Sequence, residues 1–221
     1  MSKTQKITLI LVSIIGFNYG QSDDKHETTA TNPWSVSLNV FNRYVWRGTD
    51  YGNSPSIQSG IEYSTGSLTL GAWGAWQYSG NGNENDLYVS YSSGPLSFTI
   101  TDYFFPSNSG GSDGFLDFNP DSGTHFIEAS VSGEVSGIGL YAGYFFHEPG
   151  AEEKSIYANI SYGPFMLGFG NGLYTTIDED NGNDKFDVIE LGITASNNMF
   201  SCSWILNPNQ ETTFLIVGMS F

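Results

Sequence analysis

Apolar and polar residues alternate along most of this chain, and a side-chain period of two belongs to β-strands rather than helices. Val36, Leu38 and Val40, continued by Tyr44 and Trp46, share one face of the first such segment, with Arg43 and Arg47 on the other. The pattern returns in Ile57, Ile61 and Tyr63, in Leu68, Leu70, Ala72, Trp76 and Tyr78, and in Leu87, Val89 and Tyr91. It continues through Leu96, Phe98, Ile100 and Phe104, through His125, Ile127, Ala129 and Val131, and through Ile138, Leu140, Ala142, Tyr144 and Phe146. Ile156, Ala158 and Ile160 follow, then Phe165, Leu167 and Phe169, then Ile189, Leu191, Ile193 and Ala195. Phe200, Cys202, Trp204 and Leu206, and finally Thr213, Leu215, Val217, Met219 and Phe221, complete about twelve strand candidates. No window carries a sustained helical stripe.

The opposite face distinguishes between architectures. It holds Ser37, Asn39, Gln58, Gly60, Glu62, Gln77, Ser90, Thr99, Thr101, Glu128, Asn159, Ser161, Glu190 and Thr194. Alternation alone requires only half-buried strands, which a soluble sandwich also has. A soluble sandwich, however, scatters Lys over its wet face, and here mid-strand Lys is absent. The apolar face ends instead in aromatics: Tyr44, Trp46, Tyr63, Trp76, Tyr78, Phe104, Tyr144 and Phe146. An apolar band between aromatic girdles, with a polar interior, is the pattern of a barrel standing in lipid. It also accounts for a mean hydropathy of only −0.21, because half of every strand is polar.

Connection lengths agree. Tight turns are expected at Thr65-Gly66, Ser92–Pro95, Ser132–Gly137, Tyr162–Pro164 and Ser196–Asn198, where Gly, Pro and Asn supply special backbone angles. The connections between them are mostly longer: Gly48–Pro55, Ser79–Asn85, Pro106–Gly123, Glu148–Lys154, Thr176–Lys185 and Asn207–Thr212. Short periplasmic turns, long outer loops and an even strand number mark bacterial barrels. The expectation is therefore an all-β, transmembrane, antiparallel up-and-down β-barrel spanning residues 35–221, monomeric, with both termini periplasmic.

The N-terminus reads as an address. Lys3 and Lys6 precede the nine apolar-rich residues Ile7–Ile15, and small and polar residues follow to Gly20. This is the layout of a secretory signal over residues 1–20, and it is too short for a spanning helix. Residues 21–34 then form a flexible periplasmic lead-in. The last residue, Phe221, is preceded at alternate positions by Met219, Val217 and Leu215, and it reads as the insertion signal recognised by the barrel-assembly machinery.

Arg43-Tyr44-Val45-Trp46-Arg47-Gly48 resembles the opening strand of the TorF-type porin family. Pro55-Ser56-Ile57-Gln58-Ser59-Gly60-Ile61-Glu62-Tyr63 resembles that family's next strand. Gly71-Ala72-Trp73-Gly74, Asp86-Leu87-Tyr88-Val89 and Tyr103-Phe104-Phe105-Pro106 resemble the third, fourth and fifth. Together these fragments cover residues 36–106. The resemblance implies an outer-membrane location and a porin role.

Charge narrows the function. With 23 Asp+Glu against 7 Lys+Arg and a net charge of −16, the chain is unsuited to nucleic acid, whose phosphates call for basic side chains. One cysteine excludes an internal disulfide framework. Strand parity turns Arg43, Arg47, Glu62, Gln77, Glu128 and Glu190 toward the lumen, either as ion pairs bracing the wall or as a constriction with a transverse field. Acids crowd the long connections and their margins, from Asp50 and Glu84 to Asp187 and Glu211, whereas among the short turns only Glu134 is acidic. Such a mouth concentrates cations, and it also suits divalent bridges to lipopolysaccharide. Asp117, Asn119 and Asp121, with Glu128 in the twelfth place, resemble a calcium loop, but Ser122 stands where Gly is needed. Asp180 and Asp184 belong to a second oxygen-rich stretch without a proper register. His125 and His147, near Ser122, Asp121 and Glu148, are the residues a hydrolase would use, yet no nucleophile motif accompanies them.

The function expected is passive diffusion of small polar, cationic solutes through a narrow charged lumen, without catalysis or cofactor. The partners expected are membrane lipid, lipopolysaccharide and the assembly machinery. The alternatives are a non-conducting structural or adhesive barrel, and a hydrolase using a rim histidine.

Overall fold

The computed structural model describes residues 32–79, 82–106, 114–176 and 185–221. The expected signal at residues 1–20 and most of the lead-in lie outside them. Twelve strands form a closed antiparallel barrel: β1 Trp34–Phe41, β4 Ser56–Thr65, β5 Leu68–Gln77, β6 Glu84–Ser93, β7 Leu96–Phe104, β8 His125–Val135, β9 Ile138–His147, β10 Ile156–Tyr162, β11 Phe165–Gly170, β12 Asp187–Asn197, β13 Phe200–Asn207 and β14 Thr212–Ser220. Each pairs with its neighbour in the sequence, and β1 closes the ring on β14 through Asn39↔Ser220, Val40↔Met219 and Phe41↔Gly218. Two short strands, β2 Val45–Trp46 and β3 Thr49–Asp50, pair only with each other.

One end of the barrel is closed by five two-residue hairpins, and their chemistry follows the twist of the strands. Gly66, Gly94, Gly163 and Asn198 each take the first turn position at φ 54–59°, followed by Ser67, Pro95, Pro164 and Met199. One positive φ at the first position is the II′ pattern, and Pro suits the second. Ser136-Gly137 has φ 54° and 79°, the I′ pattern. Strand β8 therefore runs on to Val135, and the connection expected over Ser132–Gly137 shrinks to two residues. The opposite end carries all the longer connections.

The outer wall is apolar and exposed. Val36, Leu38, Ile61, Leu70, Leu87, Ile100, Leu140, Ile160, Ile193, Leu215 and Val217 form its middle. Trp34, Tyr91, Tyr162, Phe165 and Phe200 edge it near the tight turns, and Trp76, Tyr78 and Phe146 near the longer connections. Among the described residues no second sheet packs on this face.

Two sequence expectations about the wall are corrected. The first strand does not continue to Trp46. It stops at Phe41, where Asn42 turns its side chain back to β14, its Nδ2 donating to the Leu215 carbonyl at 3.0 Å and its Oδ1 accepting from Val217 N at 2.8 Å. Tyr44 and Trp46 thus face inward rather than outward, 1% and 5% exposed. Ile189, expected on the apolar outer face, is also wholly buried inside. A β-bulge causes this: Gly168 faces Glu190 and Phe169 faces Val188, so Ile189 is the extra residue and period two breaks there.

Candidate functional site

The in-turned segment, residues 42–55, is the distinctive feature of the lumen. Its hairpin turns at Arg47-Gly48, both at positive φ (50° and 76°), the I′ geometry that a two-residue connection prefers. A Cβ on Gly48 would stand 2.1 Å from the Ile189 carbonyl oxygen, so the tip is pressed against β12. Asn207 of β13 anchors it, its Nδ2 donating to the Gly48 carbonyl at 3.1 Å. At the base of the hairpin Arg43 pairs with Asp50.

From this tip Arg47 crosses to the far wall. Its Nη1 donates to Glu128 Oε2 at 2.6 Å and its Nη2 to Glu128 Oε1 at 2.9 Å, a bidentate pair. Nη2 also donates to the Tyr141 hydroxyl at 2.7 Å, and Nη1 to the Tyr174 hydroxyl. The guanidinium lies 4.3 Å from the Trp46 ring centre and 4.5 Å from that of Tyr157. Gly143 makes room for the carboxylate, because a Cβ there would sit 2.6 Å from it. Arg47 and Glu128 side chains are 4% and 1% exposed, and a buried charge at that depth is tolerable only when paired and hydrogen-bonded throughout.

Around this pair the rings close the lumen. Trp46 packs on Tyr51, Tyr103 and Tyr174, with centroids 5.2–5.8 Å apart, and Tyr44 packs on Tyr51 and Trp73. Trp73, Tyr103, Phe145, Tyr157 and Ile189 stand within a few residues of the strand ends that carry the longer connections, and Tyr174 lies in one of those connections. The other half of the lumen is lined largely by small residues, among them the hydroxyl-bearing Ser37, Ser130, Ser132 and Thr194 and the glycines Gly60, Gly139 and Gly192. The interior is therefore a cup, stoppered at one end. Burial holds the phenols of Tyr44 and Tyr51 well above their ordinary range, with the charge of Glu84 adding to it, so both stay neutral and Tyr44 donates to Glu84. Burial works against the charge on Arg47, but Glu128 and the polar rings around it outweigh that and keep it a cation.

The six lumen candidates do not form one cluster. Arg47 and Glu128 meet. Arg43 sits at the hairpin base with Asp50, its side chain 36% exposed. Glu62 lies in the cup, where it accepts from the Tyr88 hydroxyl at 2.6 Å and the Ser35 hydroxyl at 3.2 Å. Glu190 accepts from the Tyr157 hydroxyl at 2.7 Å. Gln77 lies at the end of β5 under Gly52 and Gly82, its amide without a hydrogen-bond partner. Sequence parity missed the aromatic stopper and the buried carboxyls Glu84 and Asp86 on β6. Glu84 takes the Tyr44 hydroxyl at 2.6 Å, whereas Glu84 Oε1 and Asp86 Oδ1 have no partner. The only signal for these two was their spacing of two on an inward face.

The remaining candidates are scattered. Asp117, Asn119 and Asp121 are exposed, and two of their side-chain oxygens cap backbone amides, Asn119 N to Asp117 Oδ1 at 3.1 Å and Asp121 N to Asn119 Oδ1 at 2.9 Å. Among the described residues no group of three or more His, Cys, Asp or Glu is placed to hold a metal, and Asp180 and Asp184 lie outside them. Both ring nitrogens of His125 are engaged, Nδ1 with Asp102 and Nε2 with the Phe115 carbonyl, while His147 Nε2 is buried without a partner. Phe221 is exposed, its amide donating to the Leu38 carbonyl at 2.9 Å.

In comparisons with known proteins, no family model matches this chain and no curated protein matches it. The likeness to TorF-type porins rests on the fragments quoted above.

Proposed function

We propose that this protein is an outer-membrane barrel that offers small polar solutes a path through its lumen, closed at rest by the in-turned hairpin 42–55. The apolar outer wall with aromatics at both edges, and the division between tight turns and longer connections, support the membrane reading. By that reading the tight turns face the periplasm, and the barrel contacts lipid and lipopolysaccharide. The observation that carries the gated reading is the Arg47 seat. This stopper is a short hairpin held by the Arg47–Glu128 ion pair, ring contacts, the packing of Val45 on Phe41, Ile205 and Ile216, and hydrogen bonds that include Tyr44 to Glu84, Asn207 to Gly48 and Gln210 to Thr49, all of them non-covalent and reversible. Glu62, which takes hydrogen bonds from the Tyr88 and Ser35 hydroxyls, lends the open part of the lumen an acidic side chain, which favours cations. No cofactor or catalytic step enters this reading.

Planar-bilayer recording tests it. The wild-type protein should be mostly silent, and a Trp46→Ala/Arg47→Ala variant should conduct steadily, with a reversal potential in a KCl gradient of the sign that marks cation preference. A variant that still migrates as a folded barrel on unheated gels yet stays silent would leave the non-conducting structural barrel as the correct reading. Steady current through the wild-type protein would refute closure at rest.

A further inference from the structure

The connection between β7 and β8 does not stand away from the barrel. Its described part, residues 114–124, folds back over the outer wall. His125 and Asp102 both project from the outward side of their strands, where a membrane barrel should present apolar groups. The flap buries His125 and covers most of Asp102, whose side chain is left 25% exposed. The His125 ring lies between Phe104, 4.8 Å away, and Phe118, 3.9 Å away, both stacked on it. Its Nδ1 is 2.9 and 3.0 Å from the Asp102 carboxylate oxygens, and its Nε2 donates to the Phe115 carbonyl at 2.9 Å. His125 is left 1% exposed.

What the flap turns outward is apolar: Phe115, Leu116 and Phe118 are 56%, 84% and 46% exposed. The patch is continuous with the outer wall, since Phe115 packs edge-on against Phe104 with centroids 5.6 Å apart. The flap is also held in shape. Thr124 Oγ1 donates to the Gly114 carbonyl at 2.8 Å, Thr124 N to the Asp117 carbonyl at 3.1 Å, and Gly150 N of the β9–β10 connection to the Pro120 carbonyl at 2.8 Å. A pre-shaped apolar surface loses little conformational freedom when it is covered.

From this continuity with the lipid-facing wall we infer that the flap is an interfacial anchor: Leu116, with Phe115 and Phe118, enters the surrounding membrane at the boundary between acyl chains and headgroups. The His125–Asp102 pair is the clasp that holds the flap to the wall. The inference rests on the membrane reading of the barrel. A second copy of the chain or a soluble partner protein could also cover such a patch, and the test separates these.

Single cysteines are placed at Leu116, at Ile100 in the middle of the outer wall and at Glu153 on an exposed connection, each in a Cys202→Ala background and each labelled with an environment-sensitive dye. After refolding into dimyristoylphosphatidylcholine vesicles, the labels are quenched by lipids brominated on the acyl chain or by aqueous iodide. The label at Leu116 should be quenched by bromolipid several-fold more than that at Glu153 and resist iodide, as the Ile100 label does. Iodide access at Leu116 with bromolipid quenching at Ile100 overturns the anchor and leaves the membrane reading intact. Shielding of Leu116 from both quenchers means protein covers it, which also overturns the anchor. Failure of bromolipid to quench Ile100 sinks the membrane reading and the anchor with it. In an Asp102→Asn/His125→Ala variant, bromolipid quenching at Leu116 should fall while that at Ile100 stays unchanged.

Discussion

Arg47 sets most of what happens inside this barrel. A guanidinium can stay charged away from water only where its donors all find acceptors, and here one carboxylate and two phenols meet it while two rings cover its faces. The balance is asymmetric: removing one partner of a buried pair typically costs about 3–5 kcal/mol, because the other charge is stranded. Glu128→Gln should therefore lower the unfolding midpoint in lipid more than Glu62→Gln, whose carboxylate is half-buried and takes its bonds from hydroxyls. Urea titration followed by tryptophan fluorescence measures the difference. Arg47→Lys should rescue little, since a point-like ammonium cannot make the bidentate pair.

At the scale of elements, the hairpin and the tight turns use the same backbone trick for different ends. Gly66 and Gly94 take positive φ in open space, with nothing within 4 Å of an added Cβ, so Ala there costs only the left-handed backbone, about 1–2 kcal/mol. Gly48 has the same backbone need and a wall 2.1 Å away. Gly48→Ala should push the hairpin off Ile189 and Asn207 and raise bilayer conductance, whereas Gly66→Ala should leave the current at the wild-type level. Equal currents from the two would show that the tip does not seal the lumen. The hairpin itself was hard to see in the sequence. Tyr44 and Trp46 keep the period of Val36, Leu38 and Val40, and nothing local distinguishes an outward aromatic at a membrane edge from an inward one in a stopper. The same holds at Ile189, where a one-residue bulge reverses parity without a sequence mark.

For the whole molecule, closure is what makes the exposed apolar wall tolerable. Twelve strands leave no open edge among them, so the wall is free to meet lipid without inviting strand addition. On the membrane reading, a charge in the middle of the apolar wall is the costly change: Leu140→Arg should destabilise the lipid-refolded barrel by about 2–4 kcal/mol. Ser130→Arg, one strand over and directed inward, should cost less, and its effect should appear in ion selectivity. If both cost the same in vesicles, the wall does not face hydrocarbon.

Strand number, turn positions and the side of each strand that is apolar were written locally, because period two and Gly, Pro and Asn turns act over a few residues at a time. The partition into tight turns and longer connections was legible for the same reason, and so was the inward parity of Glu128 and Glu190. Which inward charges meet was not legible, since Arg47 and Glu128 are 81 residues apart and join only once the ring has closed. That residues 42–55 occupy the lumen, and that residues 114–124 lie on the wall, depends on space and partners supplied by distant strands. Such vacancies exist only in the finished cylinder.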